Sequence, residues 1–160
     1  MYRVLFVCTG NVCRSVMAQW VLSRGLAATG LAGQADAASA GLRTEIAGGP
    51  ADPGTLAVLA AHGYSGTHSV RQFEPKMFGY YDLIIALDSN HQWVLRQLAP
   101  DPADSARIRL LGSFDPAAGA GWDVPDPVGG DPDDYERTLA LVRTAMPGVL
   151  AAVIGAARLP

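Results

Sequence analysis

Four short apolar runs, each followed by a stretch with helical spacing, constrain this chain more than any other feature. "YRVLFV" (2–7), "QADAASAG" (34–41), "YDLIIALD" (81–88) and "RIRLLG" (107–112) are the candidate strands. The first and third are apolar almost without a break, as strands of a parallel sheet are when helices cover both faces. Between them lie helix signals. From Ser15 to Gly30, Met17, Ala18, Val21, Leu22 and Leu26 share one face, with Ser15 as the expected cap. Asp52, Pro53 and Gly63 mark the cap, first turn and end of a helix within 51–63, and Pro100 stops another over 89–99. A long loop (113–130) leads to a last helix that opens at Asp131, with Pro132 and Asp134 behind it. Its stripe of Tyr135, Leu139, Val142, Met146, Val149 and Val153 is expected to pack against the sheet, with a kink at Pro147. The pattern predicts an α/β fold: a single doubly wound four-stranded parallel sheet flanked by helices, with residues 1–160 as one domain.

Ligands of such sheets bind beyond the carboxyl ends of the strands, which puts "CTGNVCRS" (8–15) at the expected place for a site. The segment joins a strand to a helix N-terminus, where free backbone N–H groups and the helix dipole favour an anion. Gly10 permits the torsions that turn successive N–H groups inward, and Asn11 tolerates a left-handed conformation. Arg14 adds a planar fork suited to two phosphate oxygens, and Cys8 at the mouth of the nest would act as a thiolate nucleophile. A net charge of −3 with scattered lysines and arginines excludes a nucleic-acid face. The N-terminal apolar run is too short for a signal-peptide core or a bilayer span, so a cytoplasmic protein without a membrane partner is expected. Two cysteines five apart form neither a disulfide framework nor a four-ligand zinc pattern.

The stretch "VCTGNVCRS" resembles the active-site loop of the low-molecular-weight protein tyrosine phosphatases, and the likeness extends over essentially the whole chain. The resemblance implies that Cys8 attacks phosphorus, that Arg14 binds the equatorial oxygens, and that Thr9, Gly10, Asn11, Val12, Cys13 and Ser15 complete the substrate cradle. It identifies Asp126 in "DVPDPVGG" as the general acid, leaving Asp115 as a turn residue, Asp123 as a loop charge and Asp131 as the helix cap. Asn11, Ser15, Ser39 in "SAG" and His68 match the set that holds the loop, and Asp88 in "ALDSN" matches an acidic position bordering the site. Ser15 is expected to donate to the Cys8 thiolate. No metal or organic cofactor is implied, because loop dipoles and Arg14 supply the positive charge. Cys13 is a candidate to trap oxidised Cys8 as a disulfide, or else a buried spectator thiol. His62 reads as a helix-end residue and His91 as a surface one.

Departures from the family pattern concern substrate more than chemistry. Val16 stands where the loop serine is usually followed by proline. Family members carry aromatic residues after "SAG" and after the acid-loop "DP"; here Leu42, Glu45 and Ile46, and Val128, Gly129 and Gly130, occupy those stretches. Trp122 and Tyr135 read as packing residues, not as replacements. Partners are therefore expected to be a phosphorylated protein or, alternatively, a small-molecule phosphate ester in an open cleft; a catalytically inactive phosphate-binding module is the remaining reading. Val12 argues against phosphoarginine-specific relatives, and the lack of further cysteines argues against an arsenate reductase relay.

Overall fold

The computed structural model describes residues 1–157. Strands β1 (Tyr2–Cys8), β2 (Ala35–Gly41), β3 (Leu83–Ala86) and β4 (Ile108–Leu110) form one sheet in the order β2-β1-β3-β4, every pair parallel. Helices α1 (Arg14–Ala28), α2 (Pro53–Ala61), α3 (Ser89–Leu98), α4 (Pro102–Ala106) and α5 (Pro132–Ala157) connect and flank it. The chain leaves β1 toward β2, then crosses back over β1 to reach β3, so the winding reverses at β1 and opens a crevice at its carboxyl end.

The uninterrupted apolar run of β1 serves two cores. Val4, Phe6 and Cys8 face the layer of α1, α2 and α5, whereas Leu5 and Val7 face Ile84, Phe73, Phe78, Leu95 and Ile108 on the other side. Alternation along a strand sends successive side chains to opposite faces, so a strand covered on both sides must be apolar throughout. Every member of the α5 stripe named above is buried, and the helix continues through Pro147. By length and composition α5 could cross a bilayer; here it packs chiefly against α1, the turn over Leu111–Phe114 and α2, with less contact to the sheet itself.

Several local expectations change. Ser15 lies in the first turn of α1 and does not cap it: position 13 precedes the helix without a side-chain cap, and the Ser15 hydroxyl is engaged elsewhere. The third strand is shorter than the apolar run because Asp88 turns away to cap α3, accepting the His91 N–H at 2.7 Å. The fourth strand ends at Leu110 and passes into a 3₁₀ turn over Leu111–Phe114. Helix α4 and a 3₁₀ turn at Pro75–Gly79 were not foreseen, since elements of five residues show no periodicity; the Asp101–Pro102 cap and first turn was the available signal for α4. Asp52 caps α2 as expected, and Asp131 and Asp134 exchange side-chain-to-backbone bonds at the start of α5.

Candidate active site

Residues 9–13 leave the end of β1 and turn into α1 around one buried side chain. Asn11 is fully enclosed and adopts φ 58°, a left-handed conformation that its short amide side chain tolerates. Its Nδ2 donates to Ser15 Oγ and Ser39 Oγ at 2.9 Å each, and its Oδ1 accepts the Arg71 N–H at 2.8 Å. His68 Nε2 donates to the Asn11 carbonyl at 2.8 Å. Burial holds the His68 imidazole below its ordinary basicity, opposed by that bond to Asn11. The amide is thus satisfied on every side, and the backbone it controls is fixed. Gly10 does not carry the unusual torsion: the positive φ falls on Asn11, and a carbon added at Gly10 would meet only Val12 Cγ2 at 3.7 Å.

With the loop held from behind, its backbone amides are left unpaired. Among the described residues, no protein acceptor takes the N–H of Thr9, Gly10, Asn11, Val12 or Cys13. A run of free N–H groups ahead of a helix is a concave anion receptor. At its floor Cys8 is 3 % exposed, and its Sγ lies 3.0 Å from Ser15 Oγ. Asn11 already donates to that hydroxyl, so the Ser15 O–H is free to donate to sulfur. Arg14 is 5 % exposed; Nη1 donates to Asp88 Oδ2 at 2.9 Å and to the Val124 carbonyl at 3.0 Å. Among the described residues its Nη2 makes two long contacts, to Thr9 Oγ1 and Asp126 Oδ2, both 3.5 Å. One nitrogen anchors the guanidinium; the other remains available to an oxyanion.

Asp126 arrives on the 113–130 loop. Val124 donates its N–H to the Leu87 carbonyl at 2.9 Å, and Asp123 accepts from the Ser89 N–H and hydroxyl at 2.8 and 2.7 Å, which docks the loop on the start of α3. Asp123 therefore does more than carry a loop charge. Asp126 Oδ1 accepts the Val128 N–H at 3.2 Å, and its side chain is 50 % exposed over the cleft. Asp115 is a turn residue as expected, accepting from Ala117 N–H and Trp122 Nε1. His62 ends α2 and contacts Glu136 at 2.7 Å.

His91 is the largest correction. It is 1 % exposed, not on the surface, and its Nε2 lies 2.8 Å from Thr9 Oγ1 beside Asp88. The missed signal was Leu95, four residues on and on the same helix face, which is buried with it. Gln19 and Arg71 were also missed: Gln19 Oε1 accepts from Ser39 Oγ at 2.6 Å, and Arg71 Nη2 donates to the Ser39 carbonyl at 3.1 Å. Gly41 completes the frame. A Cβ there would lie 2.7 Å from the Thr9 carbonyl oxygen and 2.9 Å from Asn11 N, backbone atoms that cannot swing aside. We expect Gly41→Ala to displace the loop, with a stability loss of roughly 1–3 kcal/mol. Thermal unfolding together with steady-state kinetics checks this; wild-type turnover in the variant would show that the close approach is unimportant.

Above the loop opens a cleft of about 560 Å³, walled by Arg43, Glu45, Ile46, Pro50, Asp126 and Val128. Among the described residues no aromatic side chain lines it; Ile46 and Val128, 50 % and 53 % exposed, stand at its rim. Cys13 lines it as well, and burial pushes its thiol up to about 12, leaving it protonated at neutral pH.

Comparison with known proteins places this arrangement in context. The family model described as low molecular weight phosphotyrosine protein phosphatase matches residues 3–157. A Streptomyces coelicolor protein named low molecular weight protein-tyrosine-phosphatase is 50 % identical over 153 residues, covering 95 % of this chain and 93 % of its own. Low molecular weight protein-tyrosine phosphatase A of Mycobacterium tuberculosis is 42 % identical over 148 residues, 92 % of this chain and 88 % of its own. The crystal structure of YfkJ from Bacillus subtilis superposes with a TM-score of 0.89 at 32 % identity, covering 98 % of this chain and 96 % of the other.

Proposed function

The chain belongs to the low molecular weight phosphotyrosine protein phosphatase family, and from that premise we propose that it hydrolyses phosphotyrosyl proteins through a phosphocysteine at Cys8. The observation that carries the reading is the Cys8 sulfur, hydrogen-bonded to Ser15 at the centre of a loop with unpaired N–H groups and flanked by Arg14. The loop amides and Arg14 Nη2 hold the equatorial oxygens while Cys8 Sγ attacks phosphorus in line. The sulfur–phosphorus bond forms as the bond to the tyrosyl oxygen breaks, and Asp126 donates its proton to that oxygen. Asp126, now a carboxylate, takes a proton from a water that attacks the same phosphorus. Inorganic phosphate leaves, and the sulfur departs as a thiolate stabilised by Ser15. Residues 1–160 act as one catalytic domain. Two free buried cysteines, one of them the attacking group, fit a reducing compartment, and the cytoplasm is the proposed location.

Substrate selection follows from the rim. Ile46 and Val128 offer aliphatic contact to a phenyl ring where aromatic walls would stack on it, and Arg43 and Glu45 present both charge signs to the flanking peptide. Stacking is worth about 0.5–1.5 kcal/mol beyond area burial, so Val128→Tyr is expected to lower KM for an aryl phosphate by roughly 2–10-fold with little change in kcat. Parallel assays of phosphotyrosyl peptides, aryl phosphates and a panel of alkyl phosphates test the substrate class. Hydrolysis of the phosphotyrosyl peptides supports the reading. Activity confined to alkyl or metabolite esters would replace it with a small-molecule phosphatase, and no phosphate release from any ester with a binding module.

A further inference from the structure

Two segments far apart in sequence meet at the side of the phosphate cradle: Thr9 and Arg14 from the loop, Asp88 and His91 from the start of α3. Arg14 Nη1 donates to Asp88 Oδ2 at 2.9 Å, and Arg14 Nη2 reaches Thr9 Oγ1 at 3.5 Å. His91 touches both acceptors. Its Nε2 is 2.8 Å from Thr9 Oγ1; its backbone N–H and ring Nδ1 lie 2.7 and 3.1 Å from Asp88 Oδ1. The contacts close a ring in which the two terminal nitrogens of one guanidinium are set by two groups that one buried residue holds, Thr9 through the His91 imidazole and Asp88 through the His91 backbone N–H. We propose that His91 is a positioning residue for Arg14, orienting its guanidinium through the Thr9 hydroxyl and the Asp88 carboxylate. This role rests on the reading above, in which Arg14 binds the transferred phosphoryl group.

Donor bookkeeping fixes the state of the ring. The Thr9 oxygen can accept the Nη2 hydrogen and still either donate to or accept from His91 Nε2, so the carboxylate oxygen 3.1 Å from Nδ1 decides: a bare lone pair on Nδ1 would face Asp88 Oδ1. Nε2 therefore accepts, and the imidazole proton sits on Nδ1, facing Asp88. Among the described residues that buried nitrogen has no well-aligned hydrogen bond; its contact with Asp88 Oδ1, 3.1 Å away, is electrostatic. A charged imidazole would carry a hydrogen on Nε2 as well and force the Thr9 O–H hydrogen to turn away from it. Burial opposes that charge and brings His91 down to about 4; Arg14 acts in the same sense, while Asp88, Asp126 and Asp123 oppose. The neutral ring is the form that closes the network at neutral pH.

The test measures binding of inorganic phosphate, as a competitive inhibitor, beside kcat. Thr9→Val, at an exposed position, and His91→Phe are each expected to weaken phosphate and lower kcat about tenfold, consistent with coupled groups. The double variant is expected to be no worse than the poorer single one. His91→Gln, whose amide can still reach Thr9, is expected to recover most of the loss. Multiplied losses in the double variant, unchanged phosphate affinity in His91→Phe, or no recovery in His91→Gln would each overturn the role. Heteronuclear NMR of the imidazole nitrogens in the wild-type protein tests the hydrogen-bond directions without any variant having to fold: a proton on Nδ1 supports the ring as described, and a proton on Nε2 would reverse the Thr9 bond and overturn that description. Cys8→Ser separates the two levels. If it retains wild-type turnover, the reading of the site fails and the positioning role with it. If it is inactive while His91→Phe binds phosphate normally, only the positioning role fails.

Discussion

Serine in place of Cys8 is expected to reduce hydrolysis of an aryl phosphate by at least about 10³-fold, because an unactivated hydroxyl is a poor nucleophile at neutral pH where a thiolate is a strong one. Phosphate binding should survive. The substitution leaves Arg14, the loop amides and the Asn11 contacts in place, and serine can keep a hydrogen bond to Ser15 Oγ at this nearly enclosed position. Steady-state assay together with calorimetric titration of inorganic phosphate separates the two properties. Loss of both would mean that Cys8 acts by shaping the loop. Retained turnover would mean that another group attacks phosphorus.

The second large effect is selective. Asp126→Asn removes the donated proton but keeps an acceptor for the Val128 N–H, so the acid loop retains its turn. General acid catalysis contributes typically about 10²–10⁴-fold, and it matters in proportion to the basicity of the leaving oxygen. An alkyl or unactivated phenyl ester should lose roughly 10²-fold or more on that scale, while a strongly activated nitrophenyl ester should lose far less in the step that forms the phosphocysteine. The geometry permits this role. Asp126 is half exposed, and its other oxygen lies 3.5 Å from Arg14 Nη2, a loose contact that a leaving group can displace. Equal losses across leaving groups would move the proton donor elsewhere, with Asp123 the nearest carboxylate to try on the same loop.

How much of this was legible in the sequence depends on the range of the interaction involved. The strands were readable because burial on both faces leaves no room for polar residues in β1, and the stripe of α5 because its spacing is local. Asn11 was readable too: a short amide in a glycine-containing loop between strand and helix is among the few residues that adopt a left-handed torsion at little cost. Gly10 beside it keeps an ordinary φ, so the torsional freedom that glycine offers is not what turns the loop. His91 was misplaced for a physical reason. In "SNHQWVLRQL" the conspicuous apolar residue is Trp93, yet Trp93 is 62 % exposed, and the buried face runs through His91 and Leu95. The ring's hydrogen-bond partner is Thr9, on a segment that the β1–β3 pairing brings alongside. Gly41 and Asp123 were likewise invisible, because their importance lies in a close backbone approach and in a loop docked on α3. The rim differs: the non-aromatic stretches at 42–46 and 128–130 are plain in the sequence, and the cleft places Ile46 and Val128 there.

Catalysis by this chain turns on one bond, the transient link between Cys8 sulfur and phosphorus. Its most direct measurement is rapid acid quenching of the Asp126→Asn variant during turnover of an activated aryl phosphate, followed by mass spectrometry of the proteolysed chain. In that variant the first step still runs, but the water that cleaves the intermediate has lost its base, so the phosphoenzyme should accumulate. The account predicts a phosphoryl group on the peptide that carries Cys8, present early, lost on chasing, and absent when Cys8 is also replaced by serine. A phosphoryl group on any other residue, or turnover with no covalent adduct at any quench time, would contradict it.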